Sequence, residues 1–305
     1  MAEGKIFQSL SGFYDIISDG KIYRTRARGN FRKRKITPLV GDDVEFESSS
    51  QKEGYLLKIF DRKNSLVRPP IANIDQAVVV TSAVQPDFSY NLLDRQLVAV
   101  EINKITPIIY FTKTDLLDDK QFEYFKGVKK VYEQAGYKVI LPSNSEDKAE
   151  SVNEIKSLFE NKETVFMGQT GAGKSTLLNQ ISPDLNLATG EISMALNRGK
   201  HTTRKVSFIQ INNGLVADTP GFSSYEAFDI RPEELRDYFP EFRANADRCK
   251  FRGCVHINEP GCAIKAMLDE DELSHERYHD YVQLYDLLKN KKPIYNKKKW
   301  GINND

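Results

Sequence analysis

A run of nine residues, GQTGAGKST at 168–176, constrains this 305-residue chain more than any other. It has the form GxxxxGK[ST], whose glycines permit a turn tight enough to aim successive backbone N–H groups at nucleotide phosphates. Gly168, Gly171 and Gly173 are those glycines, with Gln169, Thr170, Ala172 and Thr176 filling the loop. Lys174 is placed to reach the β- and γ-phosphates, and the Ser175 hydroxyl to bind Mg²⁺. The flanks agree. The apolar run at 164–167 reads as a short buried strand, and Leu177, Leu178 and Ile181 mark the apolar face of a helix. That helix, beginning near Ser175, adds the positive end of its dipole to the site.

FTKTDL at 111–116 has the form [NT]KxD. A carboxylate at Asp115 can accept both N1–H and the exocyclic amine of guanine. Adenine offers no such donor pair, and groups left unpaired are what give such a site its selectivity. Lys113 would pack its stem along the base, and the apolar run at 107–111 would deliver the motif to a sheet edge, where doubly wound folds bind ligands. Thr112 stands where most GTPases carry Asn. It keeps a hydroxyl but loses the amide, so a looser tether to the phosphate loop is expected. TKTD also reads as a helix start, with Thr114 or Asp115 capping 116–117. A second piece, Ser143-Asn144-Ser145, could contact the guanine oxygen through its backbone or be a plain polar loop.

Two further motifs follow the phosphate loop. DTPGF at 218–222 comes about 45 residues later, after the apolar run at 215–217. Asp218 sits where a strand-end acid would hold Mg²⁺ through water, and Gly221 can offer its N–H to the γ-phosphate. GKHTTR at 199–204 supplies Thr202 and Thr203, of which Thr203 is favoured to close over Mg²⁺ and the γ-phosphate. Ras-type proteins place a water-orienting Gln after the DxxG element. Phe222 stands there and cannot orient water, so slow intrinsic hydrolysis is expected unless another group or a partner helps. His201 is the available catalytic candidate, the alternative being an exposed loop histidine. In an ordinary small GTPase the phosphate loop and switches precede the base reader. Here the base reader comes first, so the same site would be built by a circularly permuted chain.

Cys249, Cys254, His256 and Cys262 form C-x4-C-x-H-x5-C, and they include all three cysteines of the chain. Three thiolates and one imidazole make a closed tetrahedral set suited to one structural zinc, with no open position for catalysis. An odd cysteine count argues against a disulfide framework and for a reducing compartment. The alternative is three buried free thiols beside a surface histidine.

A net charge of +1 excludes a global attraction to nucleic acid, but the charge is uneven. Residues 21–35 hold Lys21, Arg24, Arg26, Arg28, Arg32, Lys33, Arg34 and Lys35 without an acid. A second basic run, Lys289 to Lys299, precedes Trp300. Such clusters can neutralise phosphates, or they are a solvated strand face and a basic tail. No stretch approaches a membrane span, and no export signal is expected.

Short alternating strands such as 21–27, 44–47 and 55–60, separated by Gly/Asp/Ser turns, suggest a small barrel over 1–68, and basic loops suit an OB-fold that binds RNA. Strands and helices alternate over 69–223, the pattern of a mostly parallel sheet, with a strand at 76–81 and a helix around 91–103. Over 224–305 the strands stop and helices flank the cysteines. Tyr278, Tyr281, Leu284, Tyr285 and Leu288 recur at helical spacing, a row read as core in preference to an RNA-stacking surface. The fold class is therefore multidomain α/β: an N-terminal OB-fold barrel, a circularly permuted P-loop GTPase domain and a C-terminal, mostly helical zinc-binding domain.

This combination of a barrel, a permuted GTPase with GxxxxGKS, GKHTTR and DTPGF, and C-x4-C-x-H-x5-C resembles the RsgA (YjeQ) family of bacterial ribosome-assembly GTPases over essentially the whole chain. The resemblance implies a cytoplasmic enzyme, expected to be a monomer, that binds the small ribosomal subunit late in maturation and hydrolyses GTP there. It further implies that the barrel and the zinc domain grip 16S rRNA near the decoding region, and that nucleotide state is coupled to release of assembly factors. By motif, 112–115 and 168–176 bind GTP, and Cys249, Cys254, His256 and Cys262 bind zinc. Thr112 for Asn and Lys200 for Arg are this chain's departures from the family pattern. The rival reading is a nucleotide-gated RNA-binding placeholder with negligible turnover.

Overall fold

The computed structural model describes residues 1–29, 31, 34, 36–67, 69–143, 145–183, 206–218 and 228–291, with backbone alone at 145–148 and 218. They form two units, Met1–Glu226 and Ala227–Asp305.

The first unit begins with five strands: β1 (Ala2–Leu10), β2 (Phe13–Ser18), β3 (Lys21–Ala27), β4 (Asp43–Ser50) and β5 (Glu53–Ile59). Two-residue turns join the first three, with positive φ at Ser11 and Gly12 and again at Asp19 and Gly20. That backbone matches the twist of a tight hairpin, which is why small or Asx-type residues with Gly occupy both turns. The ring β1-β2-β3-β5-β4 closes through β1–β4 pairing, so the sheet has no open edge. Ile6, Ile16, Val44, Phe46 and Leu56 fill the interior at 1% exposure or less. A register shift between Ile6 and Gln8 lets β1 leave the barrel, and Gln8 and Ser9 pair with Ser207 and Val206 of β12 (Val206–Ile211).

A small hairpin, β6 (Ser65–Leu66) with β7 (Ile71–Ala72), leads into the second sheet. Its strands are β8 (Gln76–Ser82), β9 (Thr106–Thr112), β10 (Lys138–Ile140), β11 (Glu163–Met167), β12 and β13 (Gly214–Asp218). They lie in the order β10-β9-β8-β11-β13-β12, parallel except for β12. All seven residues of β8 are buried, as expected of a central strand covered on both faces.

The helices are α1 (Tyr90–Ile102), α2 (Asp119–Gln134), α3 (Ser145–Ser157) and α4 (Lys174–Ile181). Ser89 caps α1, and a capping box between Asp118 and Gln121 starts α2. From β8 the chain walks outward through β9 to β10. It then returns to lay β11 on the other side of β8. The strand order therefore reverses between β8 and β11, where open α/β sheets place ligands. At the opposite end of β11, Lys5 joins Asp43 at 2.8 Å and Glu163 at 3.2 Å, tying barrel to sheet.

The second unit contains a 3-10 helix (Pro232–Tyr238), α5 (Pro240–Asn245), α6 (Ala263–Asp269) and α7 (His275–Lys289), with no strand among its described residues. Leu235, Phe239, Phe242, Ile264, Tyr281 and Leu284 form its core. Within it, Arg277 of α7 grips Glu241 of α5 through two bonds of 2.6 and 3.1 Å, both residues buried.

Candidate nucleotide and metal sites

The phosphate loop runs from β11 into α4. A Cβ at Gly168 would stand 2.1 Å from the Val80 carbonyl oxygen, and φ is +142° there, so only glycine lets β11 leave β8 at this angle. Gly171 and Gly173 also have positive φ. Lys174 is folded back, its Nζ donating to the carbonyls of Gly168 at 2.6 Å and Gln169 at 2.8 Å. Burial lowers its pKa to about 8, and no carboxylate among the described residues pairs with the ammonium. An anionic phosphate is the complement this arrangement lacks. Ser175 and Thr176 lie in the first turn of α4, where backbone N–H groups have no intrahelical acceptor.

Thr112 ends β9 beside this loop. Its hydroxyl donates to the Ala172 carbonyl at 2.5 Å, and its side chain lies 3.3–3.4 Å from where a Cβ on Gly173 would stand. This hydroxyl is the tether that the side chain of Thr112 makes to the phosphate loop. Lys113 follows with φ +58°, and its Nζ donates to the Gln85 carbonyl. Thr114 is buried and Asp115 exposed on a 3-10 turn over Thr114–Leu116. Neither Thr114 nor Asp115 caps the following helix; Asp118 does.

The turn after β8 was not legible as part of the site. The Ser82 hydroxyl donates to the Pro86 carbonyl at 2.7 Å, the Ala83 N–H to Thr112 at 3.0 Å, and Pro86 Cδ lies 3.8 Å from where a Cβ on Gly171 would stand. This turn therefore touches both the base reader and the phosphate loop. Its only sequence signal is a Gln-Pro dipeptide following an apolar strand. The backbone of Asp218 ends β13, parallel to β11. His201, Thr202, Thr203, Gly221 and Phe222 lie outside the described residues, as do Asn144, Arg32, Lys33, Lys35 and the basic run beyond 291.

In the second unit the structure brings Cys249, Cys254, His256 and Cys262 together, with ligand atoms all within 4.8 Å of one another. His256 Nδ1 lies 3.7 Å from Cys249 Sγ and 3.3 Å from Cys262 Sγ. The two His256 separations lie near the ~3.5–3.8 Å between ligand atoms that a tetrahedral zinc with Zn–S of ~2.3 Å sets, within a group spread over no more than 4.8 Å. The Ala263 N–H donates to Cys249 Sγ at 3.4 Å. Burial pushes the Cys254 thiol up to about 12 and lowers His256 to about 4, so a bound cation is what would offset the cost of thiolates here. Glu259 shapes the loop by accepting the N–H groups of Val255, Ile257 and Asn258. Tyr278 and Tyr281 donate to the His256 and Val255 carbonyls at 2.8 and 2.6 Å. The aromatic row on α7 is thus partly core and partly a clamp on this loop.

Comparison with known proteins agrees with this geometry. The family model described as RsgA GTPase matches residues 59–228, and the RsgA N-terminal domain matches 3–56. A model described as 50S ribosome-binding GTPase matches 163–296, beginning at the phosphate-loop strand. A relative from Lactiplantibacillus plantarum, "Small ribosomal subunit biogenesis GTPase RsgA 1", is 58% identical over 98% of this chain and 100% of its own. A second, from Limosilactobacillus fermentum, is also 58% identical, over 97% of this chain and 100% of its own. The crystal structure of YloQ, a circularly permuted GTPase, shares 47% identity with a TM-score of 0.82 over 97% of both chains. That of YjeQ from Thermotoga maritima shares 29% identity, also at 0.82, over 95% of this chain and 99% of its own. The barrel, the switch-point phosphate loop and these matches lead to one conclusion: the chain is a GTP hydrolase of the RsgA family, a circularly permuted GTPase.

Proposed function

We propose that this GTPase acts in biogenesis of the small ribosomal subunit, hydrolysing GTP to GDP and phosphate when bound to that subunit late in its maturation. The observation that carries the reading is the 58% identity, over nearly the full length of both chains, to a relative named for this role. Barrel and C-terminal unit would hold 16S rRNA near the decoding region, and hydrolysis would drive release of assembly factors and of the protein itself. The setting is cytoplasmic, and the protein acts as a monomer.

Each residue has a role in that reaction. Asp115 accepts the guanine N–H groups, with Lys113 along the base. Lys174 leaves the Gly168 and Gln169 carbonyls for the β- and γ-phosphates. Ser175 and Thr203, with Thr202 as the alternative, would hold Mg²⁺, and Asp218 would do so through water. That ion would neutralise charge developing on the phosphates. Gly221 offers its N–H to the γ-phosphate, and His201 orients the attacking water that Phe222 cannot. Cys249, Cys254, His256 and Cys262 hold one structural zinc.

Phosphate release from GTP, with ATP as control, tests this in the presence of small subunits, of large subunits, or of neither. Stimulation by orders of magnitude on small subunits alone is expected, and its loss in His201→Ala would assign that residue. Stimulation on large subunits alone would overturn the choice of particle. Phe222 in the Gln position favours a second reading, a nucleotide-gated RNA-binding placeholder. Tight GTP binding and co-sedimentation without stimulated release would establish it.

A further inference from the structure

We infer that Ser82 is a positioning residue for guanine nucleotide: its hydroxyl fixes the turn 82–86, whose Gln85 carbonyl anchors the ammonium of Lys113 in the base reader. This rests on the reading of 112–115 and 168–176 as the nucleotide site.

Ser82 is the last residue of β8 and is fully buried. It stands opposite Thr112 of β9 in the parallel register. A buried hydroxyl must find its partner inside the protein. This one turns back on its own chain and donates to the Pro86 carbonyl at 2.7 Å. Pro86 has no N–H, so its carbonyl is the only backbone polar group it can offer to close the turn. The neighbouring Ala83 N–H donates to the Thr112 carbonyl at 3.0 Å. The turn is thus pinned twice, to itself through a side chain and to the base reader through the backbone.

Between those pins the backbone is strained. Gln85 has φ +50° and Lys113 φ +58°, a left-handed conformation that residues other than Gly, Asn and Asp seldom adopt. Such residues persist where their surroundings over-determine them, and they cluster at ligand sites. The two are joined directly, because Lys113 Nζ donates to the Gln85 carbonyl. A bond from an ammonium is stronger than one between neutral groups. Lys113 is therefore fixed at both ends, by its backbone after Thr112 and by its ammonium at Gln85. A stem held this way is an apolar edge already in place for a flat base, and it has little rotamer freedom left to lose on binding. On the other side, Pro86 Cδ lies 3.8 Å from where a Cβ on Gly171 would stand, which sets the turn against the phosphate loop. Ser82 acts through these contacts: it holds Gln85, and Gln85 holds Lys113.

The test is a double-mutant cycle in the full chain, read by titration with a fluorescent GDP analogue. Ser82→Ala should weaken binding about fivefold, the loss of one buried hydrogen bond. Lys113→Met, which keeps an apolar stem without the ammonium, should weaken it at least as much. The double variant should be no more than about twofold weaker than Lys113→Met, because residues in one chain of contacts do not add. Ser82→Cys, close in shape and a weaker donor, should recover part of the loss. A merely structural role would give the same factor on both backgrounds, and that result would overturn the inference. So would Ser82→Ala binding GDP like the wild type. If Ser82→Ala melts too low to be titrated, Ser82→Cys takes its place in the cycle under the same criterion. If Lys113→Met, Thr112→Ala and Lys174→Ala all bind GDP like the wild type, the nucleotide site is misread and the inference falls with it. If those three weaken binding and Ser82→Ala does not, the site stands and Ser82 alone is misassigned.

Discussion

Thr112 links the two halves of the nucleotide site with a single hydroxyl, 2.5 Å from the Ala172 carbonyl. Removing it leaves that carbonyl without this donor and opens space against Gly173. Thr112→Ala should therefore raise the dissociation constant for GDP about tenfold, the loss of one well-placed hydrogen bond. Thr112→Ser should restore most of it, as read by titration with a fluorescent guanine nucleotide. Lys174 provides a second prediction at this scale. Burial lowers its pKa to about 8, and a bound phosphate must raise it again. A group whose pKa rises on binding contributes fully below its free value and loses that contribution as pH climbs towards the bound value. GDP affinity should thus be flat below pH 8 and fall above it. Calorimetry in buffers of different ionisation enthalpy should show proton uptake at pH 9 and none from Lys174 at pH 6.5; the same proton count at both would exclude this origin.

At the scale of elements, α7 holds the cysteine–histidine loop and α5 together. Tyr278 and Tyr281 bond two loop carbonyls, while Arg277 grips Glu241 in a buried pair. Removing one partner of such a pair strands the other charge, at a cost of about 3–5 kcal/mol. Glu241→Ala should accordingly make 227–305 sensitive to limited proteolysis while GDP affinity stays unchanged. A chelator strong enough to strip zinc should give the same pattern, because a site of this kind couples metal binding to folding. If chelation left the protease pattern of 227–305 intact, the four ligands would not hold a structural ion. These contacts were hidden in the sequence for a plain reason. Glu241 and Arg277 stand 36 positions apart, and nothing in local spacing selects one acid among the many that could meet that arginine.

For the whole molecule, circular permutation places the DTPGF motif at the end of the GTPase sequence, directly before the C-terminal unit. Loss of the γ-phosphate could then be transmitted through that connection to the C-terminal unit, a switch with a tethered readout. A chain ending at 224 should bind GDP like the full protein but lose subunit-stimulated phosphate release. Equal stimulation of the shortened chain would sink the coupling. The barrel enters the same body by another route, β1 pairing with β12 while Lys5 joins Glu163 at the foot of β11.

The sequence by itself determined the elements and their chemistry. Apolar runs marked β8, β9 and β11, Gly and Asx turns marked the barrel hairpins, and C-x4-C-x-H-x5-C marked four ligands, because each signal is local and set by backbone or ligand chemistry. Tertiary structure alone decided which elements are neighbours. That β11 lies between β8 and β13, that the Ser82–Pro86 turn touches both motifs, and that Thr112 reaches a carbonyl 60 residues on all depend on chain return across the sheet. Long-range pairing is selected by the burial of many side chains at once, and no short pattern records it.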